Sequence, residues 1–535
     1  MRAGRLLLHA FRIFKPCWIN LVLIFKAKMK NFTEIKVILS LIVLTCATQA
    51  QAEKVVIVGA GLSGLTTAYR LQKAFQSEKQ FLDKSMEVEV FEAKDRPGGR
   101  VFTVNLHGFP AELGGENLND GGDARVMHQL VKEMGLQTRT RRLSLGDTLY
   151  SDPKTNKIYP IFKDLMPAFA KISSEDVVKW LKKSEKQAKN LDQVITLFFQ
   201  NFHPKNTTEA HQLQLLREIV SQRMKSYEGG ETHNLATRYA HGSLEMTIKG
   251  LQSGHKALQS DKLRLYSVES VEGGNSRLIL ALAKTLGSKL HLNSPLKELR
   301  RSANQGFELV FGGTQAQTVR ADRVVLTFPC SVYPSIQFGK ATLPPERLAR
   351  IAAIPYGSHA KILIHVPPNA PHTSISTDGL TGWINSEMQH ATLFLSGDKG
   401  IMTNEQAFLK NLKWGSEIFS QAGIDLNPTR VQVPQTIFSS HSEAVGISWT
   451  RDPFIQGSYS YISPATTQEF ESNQDHQGET ILPLFAPIAG KIFFAGEHTT
   501  TEQDIRGTME AAAASGEQAF RLLTHQLKQD FGAVL

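Results

Sequence analysis

The chain has 535 residues, 41% hydrophobic and 21% charged, an ordinary composition for a folded protein with length for two or three domains. Large-scale disorder is excluded. The formal charge of +10 makes no case for a nucleic-acid partner, because the first 52 residues hold eight Lys/Arg against one acid, Glu34, and only +3 remains on the rest.

The first element in chain order is a leader. From Met29 onward, Lys30 and Lys36 make a basic start, residues 37–47 are apolar, and Ala50-Gln51-Ala52 offers a small-x-small cleavage site. The apolar run is far short of the ~20 residues that span a bilayer. The expectation is an exported protein cut near Ala52, with no membrane in its mature form. Residues 1–28 read as upstream translation or as a second, weakly apolar stretch. Cys17 and Cys46 would leave with the leader, and Cys330 alone supports neither a disulfide framework nor a cysteine-based metal site. The seventeen histidines show no ligand spacing, so no metal is expected.

Residues 54–58 read as a short strand running into Gly59-Ala60-Gly61-Leu62-Ser63-Gly64, residues 65–73 have helical spacing, and residues 87–91 form a second strand that ends in Glu92-Ala93. This is one βαβ unit with a dinucleotide-binding loop. Gly59 permits the tight turn, Gly61 lets the backbone approach a pyrophosphate, and Gly64 lets helix pack on strand. The pyrophosphate would lie at the helix N-terminus beside Ser63, and Glu92 would accept bonds from ribose hydroxyls. Residues 74–86 read as a surface insertion. Residues 161–262 turn helical and form a separate lobe. Strand signals return at 264–272, 289–292, 307–311 and 323–328, the last apolar enough to be covered on both faces. Residues 361–449 mix strands and helices, residues 491–495 read as a strand, and residues 508–523 as an alanine-rich helix.

Four further stretches identify the dinucleotide: Arg96-Pro97-Gly98-Gly99-Arg100, Glu112-Leu113-Gly114-Gly115, Phe494-Ala495-Gly496-Glu497-His498 and Gly507-Thr508-Met509-Glu510. Together with the glycine loop they resemble the flavin-containing amine oxidase family, which includes monoamine oxidases, polyamine oxidases, flavin histone demethylases and L-amino-acid oxidases. The resemblance implies an α/β fold: a Rossmann-like FAD-binding domain assembled from residues 53–150, 266–335 and 486–535, and a mixed substrate domain with a helical part at 151–265 and sheet and helices at 336–485. It implies that Gly99 and Arg100 meet the diphosphate, that Gly114 and Gly115 let the flavin ring lie against the main chain, and that Gly496 and Glu497 meet the ribityl and phosphate region. Leu296 would pack at the adenine, and Trp449 and Met509 would face the cofactor.

Lys361, after Ile354-Pro355-Tyr356-Gly357, matches a lysine that holds a water at flavin N5; the alternative is a solvent-facing lysine at a strand start. Tyr459, in Gly457-Ser458-Tyr459, would be one wall of an aromatic slot, and Thr508 stands where monoamine oxidases place the opposite tyrosine. Ser458 replaces the cysteine that monoamine oxidases join to the flavin, so FAD is expected to be held without a covalent bond. Ala511 replaces a glycine and adds bulk near the flavin. Glu116 is counted with the cofactor-binding residues, while Glu116 and Asp120 are otherwise exposed acids or contacts for a polyamine's distal ammonium.

The implied reaction takes a small-molecule amine and O2 to an imine and H2O2. Its rivals are an L-amino-acid oxidase, for which no cationic carboxylate anchor is assigned, a flavin desaturase or porphyrinogen oxidase, which has no need of the Lys361 and Tyr459 pairing, and an inactive flavin-binding module.

Overall fold

Val55, Val56, Ile57 and Val58 follow one another without a polar residue, and such a run is stable only with cover on both faces and partners on both edges. In the computed structural model the strand Glu53–Val58 has both: Ile57 pairs with Val325 on one side and with Val90 on the other. The sheet runs in the order Ile492–Phe494, Arg323–Leu326, Glu53–Val58, Met86–Phe91, Leu290–His291, and every pairing in it is parallel. Its strands come from three stretches of the chain separated by long insertions. The structure describes residues 53–532 except 79–80, 82–85, 119–122, 145–147, 170–171, 260–264, 304–305, 315 and 427–443. The expected leader, Cys17, Cys46, Asp120 and six of the thirteen residues of the expected insertion at 74–86 lie outside the described residues.

Helix Leu62–Ser77 starts inside the glycine loop, three residues earlier than its spacing showed, and packs on the C-terminal helix Met509–Gly532, which runs well past residue 523. The contact is polar as well as apolar. The Thr67 hydroxyl lies 2.9 Å from the Ser63 carbonyl and 3.0 Å from that of Gly516, and the buried Arg70 guanidinium meets Glu133 and Glu517, each at 2.6 Å.

A four-stranded sheet built on Leu296–Arg301, Phe307–Phe311 and Gln317–Ala321 flanks this unit. A seven-stranded sheet contains Ala444–Ser448, Ala360–His365, His390–Leu395, Leu380–Asn385 and Ser374–Thr377, then Thr148–Ser151 and Ile158–Pro160. Of those last two strands, Ile158–Pro160 lies in the stretch expected to be helical from residue 151, and Thr148–Ser151 ends the segment expected to belong to the FAD-binding domain. The helical lobe itself contains Ser174–Glu185, Leu191–Phe199, Thr207–Glu228 and Ser243–Gln259. The first three start where Ser173, Asn190 and Asn206 each accept a bond from the backbone N–H three residues on. Their apolar faces meet at Phe169, Phe198, Leu216 and Ile219. Among the described residues no helix is long and apolar enough to cross a membrane.

Candidate active site

One large cavity, about 1660 Å3, runs from the glycine loop past Lys361 and Tyr459 to the helical lobe. Every site residue expected from sequence borders it except Gly64. Gly64 has the packing role instead: a Cβ there would lie 2.0 Å from the Gly59 carbonyl oxygen. A Cβ on Gly61 would meet nothing within 4 Å, so this residue leaves open space over the N-terminus of helix Leu62–Ser77, which no side chain caps. That end is a ready anion site.

Glu92 is buried at the end of its strand and accepts the N–H of Ala60 at 2.7 Å and that of Lys94 at 2.9 Å. Burial raises its carboxyl above the usual range in spite of these bonds. It therefore fixes the glycine loop, and each oxygen keeps a lone pair for a second donor. Arg100 donates to the Ser458 carbonyl at 2.5 Å and to Glu497 at 3.0 Å. Burial pushes the Glu497 carboxyl up, but Arg100 and the Ser460 hydroxyl at 2.6 Å hold it below the ordinary value. Lys94 is paired with Asp452 beside the Trp449 ring.

Lys361 is 5% exposed, which excludes the solvent-facing alternative. Its ammonium donates to the carbonyls of Glu112 and Gly114 at 2.9 and 3.0 Å and pairs with Glu116 at 3.2 Å. Glu116 is thereby corrected from an exposed acid to an ion-pair partner inside the cavity wall. The Gly114 carbonyl can approach because that residue has no side chain: a Cβ would fall 1.9 Å from the Arg100 carbonyl oxygen.

The motif reading gave no role to the Glu112 side chain, yet it completes this cluster. It accepts the Asn275 N–H at 2.7 Å and the Thr103 hydroxyl at 2.8 Å, and burial pushes its carboxyl up to about 7.

The aromatic slot differs from expectation. The Tyr459 ring stacks on His359 with centroids 4.7 Å apart, and His359 stacks on Phe394 at 4.5 Å. The Tyr459 hydroxyl lies 3.0 Å from the carbonyls of both Ser226 and Tyr227. His359 Nε2 faces the Lys225 carbonyl at 3.3 Å and so carries the proton, which leaves Nδ1 to accept from the Ser458 hydroxyl at 2.9 Å. Burial holds this imidazole down to about 4. Sequence reasoning missed His359, two residues before Lys361, because a buried histidine has no spacing that marks it.

Thr508 borders the cavity, but its hydroxyl is bonded to the Ile505 carbonyl at 2.6 Å and to the Ala511 N–H at 3.2 Å, the bonds of a helix cap. Ala511 is buried away from the cavity and Ala512 borders it, so the bulk expected near the flavin falls elsewhere. Glu510 reaches back to the N–H groups of Val126 and Met127, both at 2.9 Å, and caps helix Arg125–Glu133.

A model of the flavin containing amine oxidoreductases matches residues 62–394 and 435–522. The L-amino-acid oxidase of Mus musculus is 24% identical over 513 residues, covering 90% of this chain and 72% of the relative. Among solved structures, cyclohexylamine oxidase from Brevibacterium oxydans IH-35A aligns with a TM-score of 0.59 at 18% identity, covering 89% of this chain and 100% of that one. Wild-type putrescine oxidase bound to putrescine aligns with a TM-score of 0.57 at 17% identity, covering 89% and 99%. These two likenesses establish the fold, and the family match, over more than half the chain, establishes the lineage. The chain belongs to the flavin-containing amine oxidoreductases, enzymes whose cofactor is FAD.

Proposed function

We propose that the protein is an FAD-dependent oxidase of primary or secondary amines. The observation that carries this is the single cavity that has an open anion site over a glycine loop at one end and Lys361 with Tyr459 farther along it. When bound, FAD supplies the two-electron acceptor, taking hydride from the carbon next to nitrogen and reducing O2 to H2O2. The imine product is hydrolysed to a carbonyl compound and ammonia or a smaller amine.

The residues fit that cofactor. Gly59, Gly61 and Ser63 at the helix N-terminus, with Gly99 and Arg100, would receive the diphosphate, and Glu92 and Ala93 the ribose. Leu296 would pack at the adenine; Gly114, Gly115, Trp449, Gly496, Glu497 and Met509 would line the rest. The Ser458 hydroxyl cannot form a thioether, so FAD is held without a covalent bond. Tyr459 presents one apolar wall to the amine, held in place by His359 and by two lobe carbonyls, while Thr508 adds a methyl-sized surface. Lys361 is proposed to hold a water: the bond to Glu116 at 3.2 Å is the longest of its three and the one a water would replace. Only a neutral amine can react, so activity should rise with pH through the pKa of the substrate's amine.

The FAD-binding unit is proposed to comprise residues 53–150, 266–335 and 486–535, with 151–265 and 336–485 as the substrate part. Export after cleavage near Ala52 is proposed from the leader, and N-terminal sequencing of the exported protein would show Glu53 first. The functional reading is tested by an absorbance spectrum of the purified chain before and after acid precipitation, followed by a peroxide-coupled screen of monoamines, polyamines and L-amino acids. The expected result is a flavin spectrum that leaves with the supernatant and peroxide from one substrate class. A yellow protein that turns over none of them refutes the oxidase.

A further inference from the structure

Most of the cations on the cavity wall have acceptors or reach solvent. Lys94 is held by Asp452, Arg100 by Glu497 and Lys361 by Glu116. Arg506 donates to the carbonyls of His498 and Thr500 at 3.0 and 2.6 Å, and Lys297 is exposed to solvent. On the acid side, Glu92 accepts the N–H groups of Ala60 and Lys94, Glu228 is bonded to Ser243 and feels the charge of Arg506, and Asp123 and Asp504 are exposed. Arg223 borders the same cavity, is half-buried, and has no hydrogen bond or ion pair among the described residues. A guanidinium carries five donors and does not give up its charge, so leaving it unmatched in a partly desolvated wall is costly. Arg223 is thus a cation in this wall with no acceptor of its own among the described residues, and an anionic group is the partner that would satisfy it.

Its placement is fixed by its neighbours. Gln222 accepts the Gly379 N–H at 2.7 Å, Lys225 pairs with Glu231 and Asp378, and the Ser226 hydroxyl lies 2.9 Å from that of Thr381. These contacts pin the last turns of helix Thr207–Glu228 to the turn that joins strands Ser374–Thr377 and Leu380–Asn385 and set its rotation. Arg223 and Tyr227, four residues apart, then share the face that borders the cavity. The Tyr227 carbonyl receives the Tyr459 hydroxyl, so Arg223 sits about one helical turn, a rise of about 6 Å, from the residue that holds the aromatic wall. Trp383 and Phe394 supply apolar surface in the same cavity, with ring centroids 6.2 Å apart.

We propose that Arg223 anchors an anionic group of the substrate, a carboxylate, so that the amine presented at Tyr459 belongs to a molecule carrying both groups. This rests on the amine-oxidase reading above and names its substrate class.

The test compares the flavin-loaded protein with Arg223→Gln and Arg223→Lys on substrate pairs that differ only by the carboxylate, L-phenylalanine against 2-phenylethylamine and L-lysine against 1,5-diaminopentane. Benzoate and inorganic phosphate are titrated into the same proteins by calorimetry. Flavin content and circular dichroism matching those of the unaltered protein establish that each variant is folded. The unaltered protein should favour the carboxylated member of a pair, and Arg223→Gln should raise its KM about ten- to a hundredfold, the loss expected for charge-assisted bonds. The carboxyl-free member should change less than twofold. Benzoate affinity should fall with the same variant and be partly kept by Arg223→Lys. The proposal is overturned if the carboxyl-free amine is preferred, if preference or benzoate affinity survives Arg223→Gln, or if phosphate binds through Arg223 and benzoate does not. Benzoate binding through Arg223 with no peroxide from any pair would sink the oxidase reading and leave the anion site standing.

Discussion

Replacing Glu112 by glutamine tests whether burial, rather than a charge partner, governs the cluster around Lys361. Glu112 is 7% exposed, and its carboxyl is pushed from 4.5 up to about 7 by burial, which outweighs the Asn275 N–H, the Thr103 hydroxyl and the nearby Lys361. The difference between those two values, at 1.36 kcal/mol for each pH unit, makes ionised Glu112 a cost of about 3 kcal/mol at pH 8. The sign follows from proton binding. Between pH 4.5 and about 7 the unfolded chain has lost this proton and the fold has kept it, so stability contributed by the protonated form is full below 4.5 and is lost as pH rises through about 7. Glutamine keeps the volume, its oxygen can accept from Asn275, and its amide can donate to Thr103, yet it has no charge to bury. Glu112→Gln should therefore match the unaltered protein near pH 5 and exceed it by about 3 kcal/mol at pH 8.

The unaltered curve alone does not show this. Glu228, also raised to about 7, has the same slope, while His359 and His498, held down to about 4, have the opposite one between 6.5 and 4. The diagnostic quantity is the difference in urea-unfolding free energy between the two proteins at pH 5, 6, 7 and 8. A difference that stays flat with pH, or that shrinks as pH rises, refutes the argument.

Three further outcomes are expected. His359→Phe keeps a ring between Phe394 and Tyr459 but leaves the buried Ser458 hydroxyl without its acceptor, and it should cost about 1–3 kcal/mol in urea unfolding, with KM for the amine raised in steady-state assays. Gly64→Ala puts a methyl group 2.0 Å from the Gly59 carbonyl oxygen and should abolish flavin retention through gel filtration while the secondary structure seen by circular dichroism persists. Glu510→Ala removes both N–H acceptors at the start of helix Arg125–Glu133 and should lower stability by about 1–2 kcal/mol, read as a lower thermal midpoint; an unchanged midpoint would show that water caps the helix equally well.

The parts of the site that lie in short contiguous runs were legible in the chain. The glycine loop, Glu92, Gly114, Arg100 and Gly496 owe their places to local backbone geometry, and local geometry leaves a local pattern. The strands at 54–58 and 323–328 were legible for a related reason, since burial on both faces demands nearly unbroken apolar residues, whereas 87–91 showed the alternation of Glu87, Val88, Glu89 and Val90. What escaped depends on contacts between distant segments. Arg223 sits in an amphipathic helix where an arginine on the polar face is ordinary, and only the packing of Gln222 and Ser226 on the sheet turns it inward. Glu510 looked like part of a flavin motif and is spent on a helix 384 residues away in sequence. Thr508 looked like a missing half of an aromatic cage, whereas its hydroxyl closes the first turn of the last helix.

Tyr459 is where those separate pieces become one machine. Its backbone carbonyl accepts the Gly357 N–H at 2.9 Å, and the Ser458 N–H returns to the Gly357 carbonyl at 2.7 Å, which locks the slot to the segment that leads into His359 and Lys361. Its hydroxyl reaches the carbonyls of Ser226 and Tyr227 at the end of the long lobe helix, and those two carbonyls lie among the unpaired groups of that helix's last turn. The lobe, read from sequence as a separate unit, thus supplies the acceptors that orient the aromatic wall and, one turn earlier, the guanidinium proposed to hold the substrate's carboxylate. A displacement of that helix moves both together. The distance between the wall and the anchor is set within one stretch of helix, so a substrate spanning the two is gauged against a rigid element and not against the packing of lobe on sheet.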